Sequence, residues 1–478
     1  MLFNSIEFLL FFPLVFVIYW FVLGKKLKAQ NGFLLLSSYF FYACWDWRFL
    51  FLLLFSTLLD FFIGLKLNNQ NSENKRKFWF WLSIITNLGF LGFFKYYNFF
   101  VESFATMLLK LGFQANLWTL KIILPVGISF YTFHGLSYVI DVYKRRIEPE
   151  RNFIDYGVFV SFFPLLVAGP IERATHLLPQ IKRQRLFDYQ NAVDGLRQIL
   201  WGLFKKIVVA DSCAKYANLI FNNSNDYSGS TLVIGAIFFS FQIYGDFSGY
   251  SDIALGTARL LGIDLLKNFS YPYFSRDIAE FWRRWHISLS SWFRDYVYIP
   301  LGGSHGSKIK QVRNVFVIFL LSGFWHGANW TFIAWGFLHA LYFIPLMLSN
   351  RNRKNVEIIA ANKDLPSIKE FLNMVFMFAL VAFAWIFFRA NDLQHAFSIV
   401  SEIFSASIFS TPEYLPKKVF VFLFLLLGIE WVSRKSDHAL SSFALNWPKF
   451  LRLVFYYSIV FLIFYCAGEG QEFIYFQF

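Results

Sequence analysis

From Asn314 to Asn350 the chain carries no Asp, Glu, Lys or Arg, and Arg313 and Arg351 close the stretch at its two ends. So long a run without charge belongs in a membrane, because a hydrocarbon core about 30 Å thick is crossed by roughly 20 apolar helical residues. Inside the run lies Ser322-Gly323-Phe324-Trp325-His326-Gly327-Ala328-Asn329-Trp330. Read as a helix starting at Arg313, His326 lies roughly 20 Å along the axis, well inside the membrane. An ionisable side chain is costly there unless it lines a protein-walled or water-filled cavity, so His326 marks a candidate functional site. A core histidine bonded to a backbone carbonyl is the alternative. Gly323 and Gly327 permit another backbone or a substrate to approach closely.

The same apolarity runs through all 478 residues. The chain is 57% hydrophobic and only 15% charged, too apolar for a soluble protein of this length, so it reads as an all-α polytopic membrane protein. Most of its 66 Phe and 16 Trp fit lipid-facing surface and interfacial belts. The net charge of +14 comes from short basic clusters between apolar runs: Lys25-Lys26 with Lys28, Lys75-Arg76-Lys77, Lys144-Arg145-Arg146, Lys182-Arg183 with Arg185, and Arg351 with Arg353-Lys354. These are cytoplasmic loop anchors rather than a nucleic-acid surface. Cys44, Cys213 and Cys466 have no metal-ligand spacing and point to neither a disulfide framework nor a zinc site. Leu2 to Leu23 lacks a basic leader and a small-residue cleavage site, and is expected to be a retained transmembrane helix.

Apolar segments near 2–23, 32–66, 78–112, 121–140, 153–168, 197–218, 230–262, 314–349, 369–388, 416–433 and 451–467 imply about 11 spans. Basic residues flank both ends of 32–66, so two short crossings are expected there, turning at Cys44-Trp45-Asp46-Trp47-Arg48, and the N-terminus is expected outside the cytoplasm. Pro-interrupted runs such as Phe163-Pro164 through Gly169-Pro170 suggest re-entrant segments. With no internal repeat and no polar region able to fold alone, residues 1–478 read as one membrane domain; the missing inverted repeat counts against many transporters.

Two further stretches hold chemistry. Arg276 to Asp295, read as one helix, puts Asp277, Glu280 and Arg284 on one face and Trp282, His286 and Ser290 on another. Its charge places it at the interface or inside protein; an amphipathic interface helix whose His286 makes a simple hydrogen bond is the alternative. In Phe241 to Asp252, Gln242, Asp246 and Tyr250 share a helical face within an apolar run. A buried carboxylate needs a partner, and a histidine or arginine from another helix is the expected one; a structural network is the alternative. His134, His176, His305, His339, His395 and His438 are left without a role. Two histidines without a metal-ligand set suit proton transfer, taking a proton from a hydroxyl and returning it to a leaving group. P-loop and zincin motifs are missing from the sequence, and transfer onto a hydroxyl is the chemistry expected.

Several ordered motifs together resemble one family. They are Met1-Leu2-Phe3-Asn4-Ser5, Leu124-Pro125-Val126-Gly127-Ile128-Ser129-Phe130-Tyr131-Thr132-Phe133, Val139-Ile140-Asp141-Val142-Tyr143, Ala168-Gly169-Pro170-Ile171, Tyr244 to Asp252, Arg283-Arg284-Trp285-His286, Trp325-His326-Gly327 and Phe473 to Phe478. The chain is similar over nearly its whole length to the membrane-bound O-acyltransferase (MBOAT) family, in its bacterial alginate O-acetyltransferase-like branch. His134 departs from the pattern, standing where many relatives carry Gln or another polar residue.

The resemblance implies a ring of about 11 tilted transmembrane helices with re-entrant segments around a central tunnel. It implies that His326 and His286 are catalytic, His326 as base on the attacking hydroxyl and His286 orienting the thioester or protonating the leaving thiolate. Asp246, Gln242, Tyr250, Trp325 and Asn329 would support them. Arg283, Arg284, Lys205 and Lys206 would attract a cytoplasmic acyl thioester such as acetyl-CoA, with no metal and no bound cofactor. The acceptor would be hydroxyls of an extracytoplasmic polysaccharide such as alginate, reached directly or through a periplasmic acetyltransferase partner, and the site of action the bacterial inner membrane. Peptidoglycan O-acetylation and D-alanyl transfer towards teichoic acid are the alternatives within the enzyme class. A proton-coupled transporter or flippase is the alternative outside it.

Overall fold

The computed structural model describes residues 1–113, 119–120, 122–167, 169–471, 473 and 474. Lys121, at the head of one expected apolar segment, and the motif residues Ala168 and Tyr475 to Phe478 lie outside the described residues. Helices and their connections make up the described residues, with no strand among them. This is what a chain must do in lipid, where each backbone polar group has to be satisfied within its own segment. Among the described residues, six helices are long and apolar enough to cross a membrane: Leu27–Asn68, Glu73–Lys110, Gly229–Leu260, Trp330–Leu348, Ile368–Arg389 and Lys449–Cys466. Other apolar segments form shorter or broken helices, such as Ile6–Val22, Phe153–Leu166 and Lys417–Val432, so about 11 crossings are not made by 11 long helices. Leu27–Asn68 is itself interrupted at Asp46 (φ −158°, ψ 109°), inside the turn expected at Cys44–Arg48, where the Arg48 guanidinium bonds the Asp46 carboxylate at 2.6 Å.

The chain divides into two compact units, residues 1–192 with 257–266, and residues 193–256 with 267–478. In the first, Leu27–Asn68 packs against Ile128–Tyr143 and Phe153–Ser161. Inside this apolar packing Asp60 accepts from Ser83 Oγ (2.6 Å) and Asn87 Nδ2 (3.0 Å), and Asn31 donates to Asp155 (2.7 Å). Tyr19 and Trp20 secure the 257–266 segment by donating to the carbonyls of Leu261 (2.9 Å) and Leu260 (2.8 Å).

The second unit contains every candidate site residue named from the sequence. Glycines on the Gly229–Leu260 helix let it approach the 189–210 segment backbone to backbone. A Cβ on Gly249 would lie 2.8 Å from the Gly202 carbonyl oxygen, and one on Gly202 2.6 Å from that of Gly249. That contact brings Lys205 and Lys206 to the acidic face of the long helix. Lys308–His326 and Trp330–Leu348 form a tight hairpin through the uncharged run. Gly323 faces the Phe332 carbonyl and Gly336 faces the Phe319 carbonyl, so the close approach expected at Gly323 is made by backbone.

The stretch from Arg276 to Asp295 is not one helix, which corrects the expected face of Trp282, His286 and Ser290. Asp277 caps a short helix, Ile278–Arg284, by accepting from Glu280 N (2.7 Å), and a second short helix, Ile287–Phe293, follows. Between them His286 takes left-handed backbone angles (φ 42°, ψ 56°), which cost a residue with a Cβ about 1–2 kcal/mol. The break is held from outside the segment. Ser270 N donates to the Arg284 carbonyl (3.0 Å), Ile287 N to the Asn268 carbonyl (2.9 Å) and Ser288 Oγ to Asn268 Oδ1 (2.6 Å). Trp282, His286 and Ser290 therefore do not share a helical face. The Glu280–Arg284 pair is present at 2.9 Å.

Candidate active site

His326 ends the first arm of the hairpin and is 4% exposed; His286, at the strained break, is 1% exposed. They come together through Trp325, whose indole lies 4.9 Å from the His326 ring and 5.9 Å from the His286 ring. Phe247 meets His286 edge-on at 4.7 Å, and Phe388 meets His326 at 5.2 Å. Two imidazoles are thus enclosed by aromatic walls that exclude bulk water. Neither nitrogen of His286 has a hydrogen-bonding partner among the described residues.

Beyond His326 the cluster continues. Trp335 lies edge-on to His326 at 5.1 Å and to His339 at 4.7 Å, and Trp282 meets His339 at 5.0 Å. His339 is fully buried (0% exposed), and neither of its nitrogens, nor the Nε1 of Trp335 or Trp282, has a hydrogen-bonding partner among the described residues. A buried polar atom left unpaired costs about 1–3 kcal/mol, so a group of them marks a place built to receive something. Sequence pattern alone assigns no role to His339 and does not single out Trp335. The only signal was their place on the second hairpin arm, and it becomes readable once the Gly323–Gly336 crossing fixes the register of the two arms.

A second buried cluster lies on the Gly229–Leu260 helix. Lys206 Nζ is 2.7 Å from Asp211 Oδ1, 2.8 Å from Asp246 Oδ1 and 3.1 Å from the Gln471 carbonyl, while Ile474 N donates to Asp246 Oδ2 at 2.6 Å. The expected His or Arg partner of Asp246 is therefore a lysine, delivered by the glycine seam. Tyr250 meets Phe473 at a tilt (4.3 Å) in the same cluster, and Gln242 is buried one turn before Asp246. Alongside, Lys205 Nζ pairs with Asp252 (2.7 Å), and Tyr244 donates to Glu430 (2.8 Å).

These placements separate the expected set. Asp246 bonds Lys206 and the C-terminal backbone rather than a histidine. Asn329 caps the second hairpin arm, accepting from Thr331 N (3.0 Å) and donating to the Asn391 carbonyl (2.7 Å). Lys205 and Lys206 are 3% and 1% exposed and committed to carboxylates, so they have no free charge to draw a soluble anion. Arg284 is spent on Glu280 and the Ser270 carbonyl (3.2 Å). Arg283 alone of the four is exposed, held through the carbonyls of Asn352 (2.9 Å) and Asn355 (2.7 Å).

Residues 150–389 match the family model described as MBOAT, membrane-bound O-acyltransferase family. The chain is 39% identical to the probable alginate O-acetylase of Pseudomonas aeruginosa, over 86% of this chain and 76% of that protein. It is 32% identical to the peptidoglycan O-acetyltransferase of Helicobacter pylori, over 100% of this chain and 98% of that one. It is 27% identical to the teichoic acid D-alanyltransferase of Bacillus subtilis, over 56% of this chain and 70% of that one.

Proposed function

The chain belongs to the membrane-bound O-acyltransferase family and is a multi-pass membrane acyltransferase, and we propose that it moves acetyl groups from a cytoplasmic thioester such as acetyl-CoA to hydroxyls of an extracytoplasmic polysaccharide such as alginate. In this reading the whole chain, residues 1–478, acts as one domain in the bacterial inner membrane, and a periplasmic acetyltransferase partner takes the acetyl group where transfer is not direct. The observation that carries the reading is the pairing of buried His326 with buried His286 across the indole of Trp325. His326 takes the proton of the attacking hydroxyl. Its oxygen then bonds the acyl carbon, the C–S bond breaks, and the proton passes to the leaving thiolate, with His286 orienting the thioester. Dry aromatic walls limit loss of the acetyl group to water. Arg283 is the exposed cation left to meet the phosphates of the donor.

Peptidoglycan is the second acceptor reading, favoured by a match that spans both chains almost end to end. D-Alanyl transfer would replace the donor with a carrier-protein thioester. The enzyme class follows from the family, so the proton-coupled transporter considered from the sequence gives way to it. The test uses membranes holding this chain and its genomic neighbours, supplied with radiolabelled acetyl-CoA or labelled D-alanyl carrier protein. Label from acetyl-CoA in an alginate-type polymer supports the proposal, label in peptidoglycan moves it to the second acceptor, and label from the carrier alone overturns it.

A further inference from the structure

The unpaired polar atoms around His339 do not balance. Indole N–H groups donate and cannot accept, and a neutral imidazole brings one donor and one acceptor. Trp282, Trp335 and His339 thus present three donors and a single acceptor, all buried and without partners among the described residues. If one indole bonds the imidazole lone pair, two N–H donors remain. Water does not correct the surplus, because each molecule brings as many donors as acceptors. A hydroxyl brings a donor of its own, and a thioether-like sulfur accepts weakly. A carbonyl oxygen, with two lone pairs and no proton, takes both donors.

We infer that this is where the acyl carbonyl oxygen of the thioester binds, with the Trp335 N–H as a direct donor to it. The inference rests on the acyl-transfer reading and deepens it. Trp335 lies between the two histidines, 5.1 Å from the His326 ring and 4.7 Å from that of His339, so a carbonyl held by its N–H lies beside the base. As the hydroxyl oxygen bonds the carbonyl carbon and its proton passes to His326, the C=O π pair moves onto the oxygen. The indole N–H meets the resulting charge in a dry, aromatic setting where such a bond is strongest. Collapse restores C=O, breaks C–S and returns the proton from His326 to the thiolate. Trp335 is therefore a catalytic residue of the oxyanion-hole type; the His339 N–H supplies the second donor, and the Trp282 N–H, on the imidazole lone pair, positions it.

The test compares wild type with Trp335→Phe, which removes the N–H and keeps most of the ring, in acetyl transfer from acetyl-CoA by purified protein with its acceptor. A fall in kcat of about 10²-fold, with KM changed less than about three-fold, is expected. The carbonyl infrared band of bound ¹³C-acetyl thioester should also lie at lower wavenumber in wild type than in the variant. If Trp335→Phe does not fold, benzothienylalanine at the same position replaces N–H with sulfur at constant shape and is read in the same way. A variant with wild-type kcat and an unmoved carbonyl band overturns this inference alone. A wild type that takes no acetyl from the thioester overturns the acetyl-transfer reading and this inference with it.

Discussion

Replacing Lys206 with methionine isolates the energetics of the second cluster. The ammonium is buried between Asp211 (2.7 Å) and Asp246 (2.8 Å), both themselves buried, so its loss leaves two carboxylates facing each other without a cation. Breaking a buried ion pair from one side costs about 3–5 kcal/mol. Counting the two charge-assisted hydrogen bonds instead, at about 1.5–3 kcal/mol each, gives roughly 3–6 kcal/mol, and the two estimates overlap. A loss of that size lowers the folding equilibrium by a factor on the order of 10²–10⁴. The substitution also removes one tie to the C-terminal segment, the bond from Lys206 Nζ to the Gln471 carbonyl. The assay is equilibrium unfolding in detergent, with limited proteolysis around Gln471 as a local readout. Lys206→Met should unfold earlier and expose the tail to protease. Adding Asp211→Asn and Asp246→Asn should recover most of the loss by removing the stranded charges. A cost below about 1 kcal/mol for the single substitution, or a triple variant no more stable than the single one, would refute the reasoning.

The left-handed backbone at His286 predicts that His286→Gly is more stable than His286→Ala by about 1 kcal/mol, reversing the usual order of the two residues; thermal unfolding in detergent checks it, and the ordinary order would contradict the break. The Glu172 carboxylate, 2.8 Å from the His176 ring, holds that imidazole above its ordinary value. Its stabilisation is therefore complete below the unfolded value of about 6.5 and is lost as pH rises through the higher folded value. The wild type should lose stability relative to His176→Gln between neutral and mildly alkaline pH, and parallel pH profiles would contradict the pairing.

Membrane residence, the all-helical class and the burial of His326 were legible because they rest on local pattern: an uncharged run, the Trp-His-Gly motif within it, and basic residues at its ends. The burial of Asp246 was legible for the same reason. Its partner was not, since Lys206 reaches Asp246 through a seam of glycines on two segments far apart in sequence. The fracture at His286 carries no Gly or Pro to announce it; Asn268 and Ser270 impose it from outside, so helical periodicity holds for Glu280 and Arg284 before the break and fails for Trp282, His286 and Ser290 across it. Basic residues beside a candidate site read as anion-attracting, yet Lys205 and Lys206 are spent on carboxylates, because inside a membrane protein a cation is as costly as the acid it neutralises. His339 and Trp335 were hidden among many aromatics until the hairpin register set them beside His326.

The role of His326 as the base is tested most directly by single-turnover transfer from acetyl-CoA in detergent-solubilised protein supplied with acceptor, wild type beside His326→Ala, with donor binding measured in both. The account predicts that the variant binds the thioester about as well as wild type and transfers acetyl at least about 10²-fold more slowly. Equal single-turnover rates in the two proteins would contradict it.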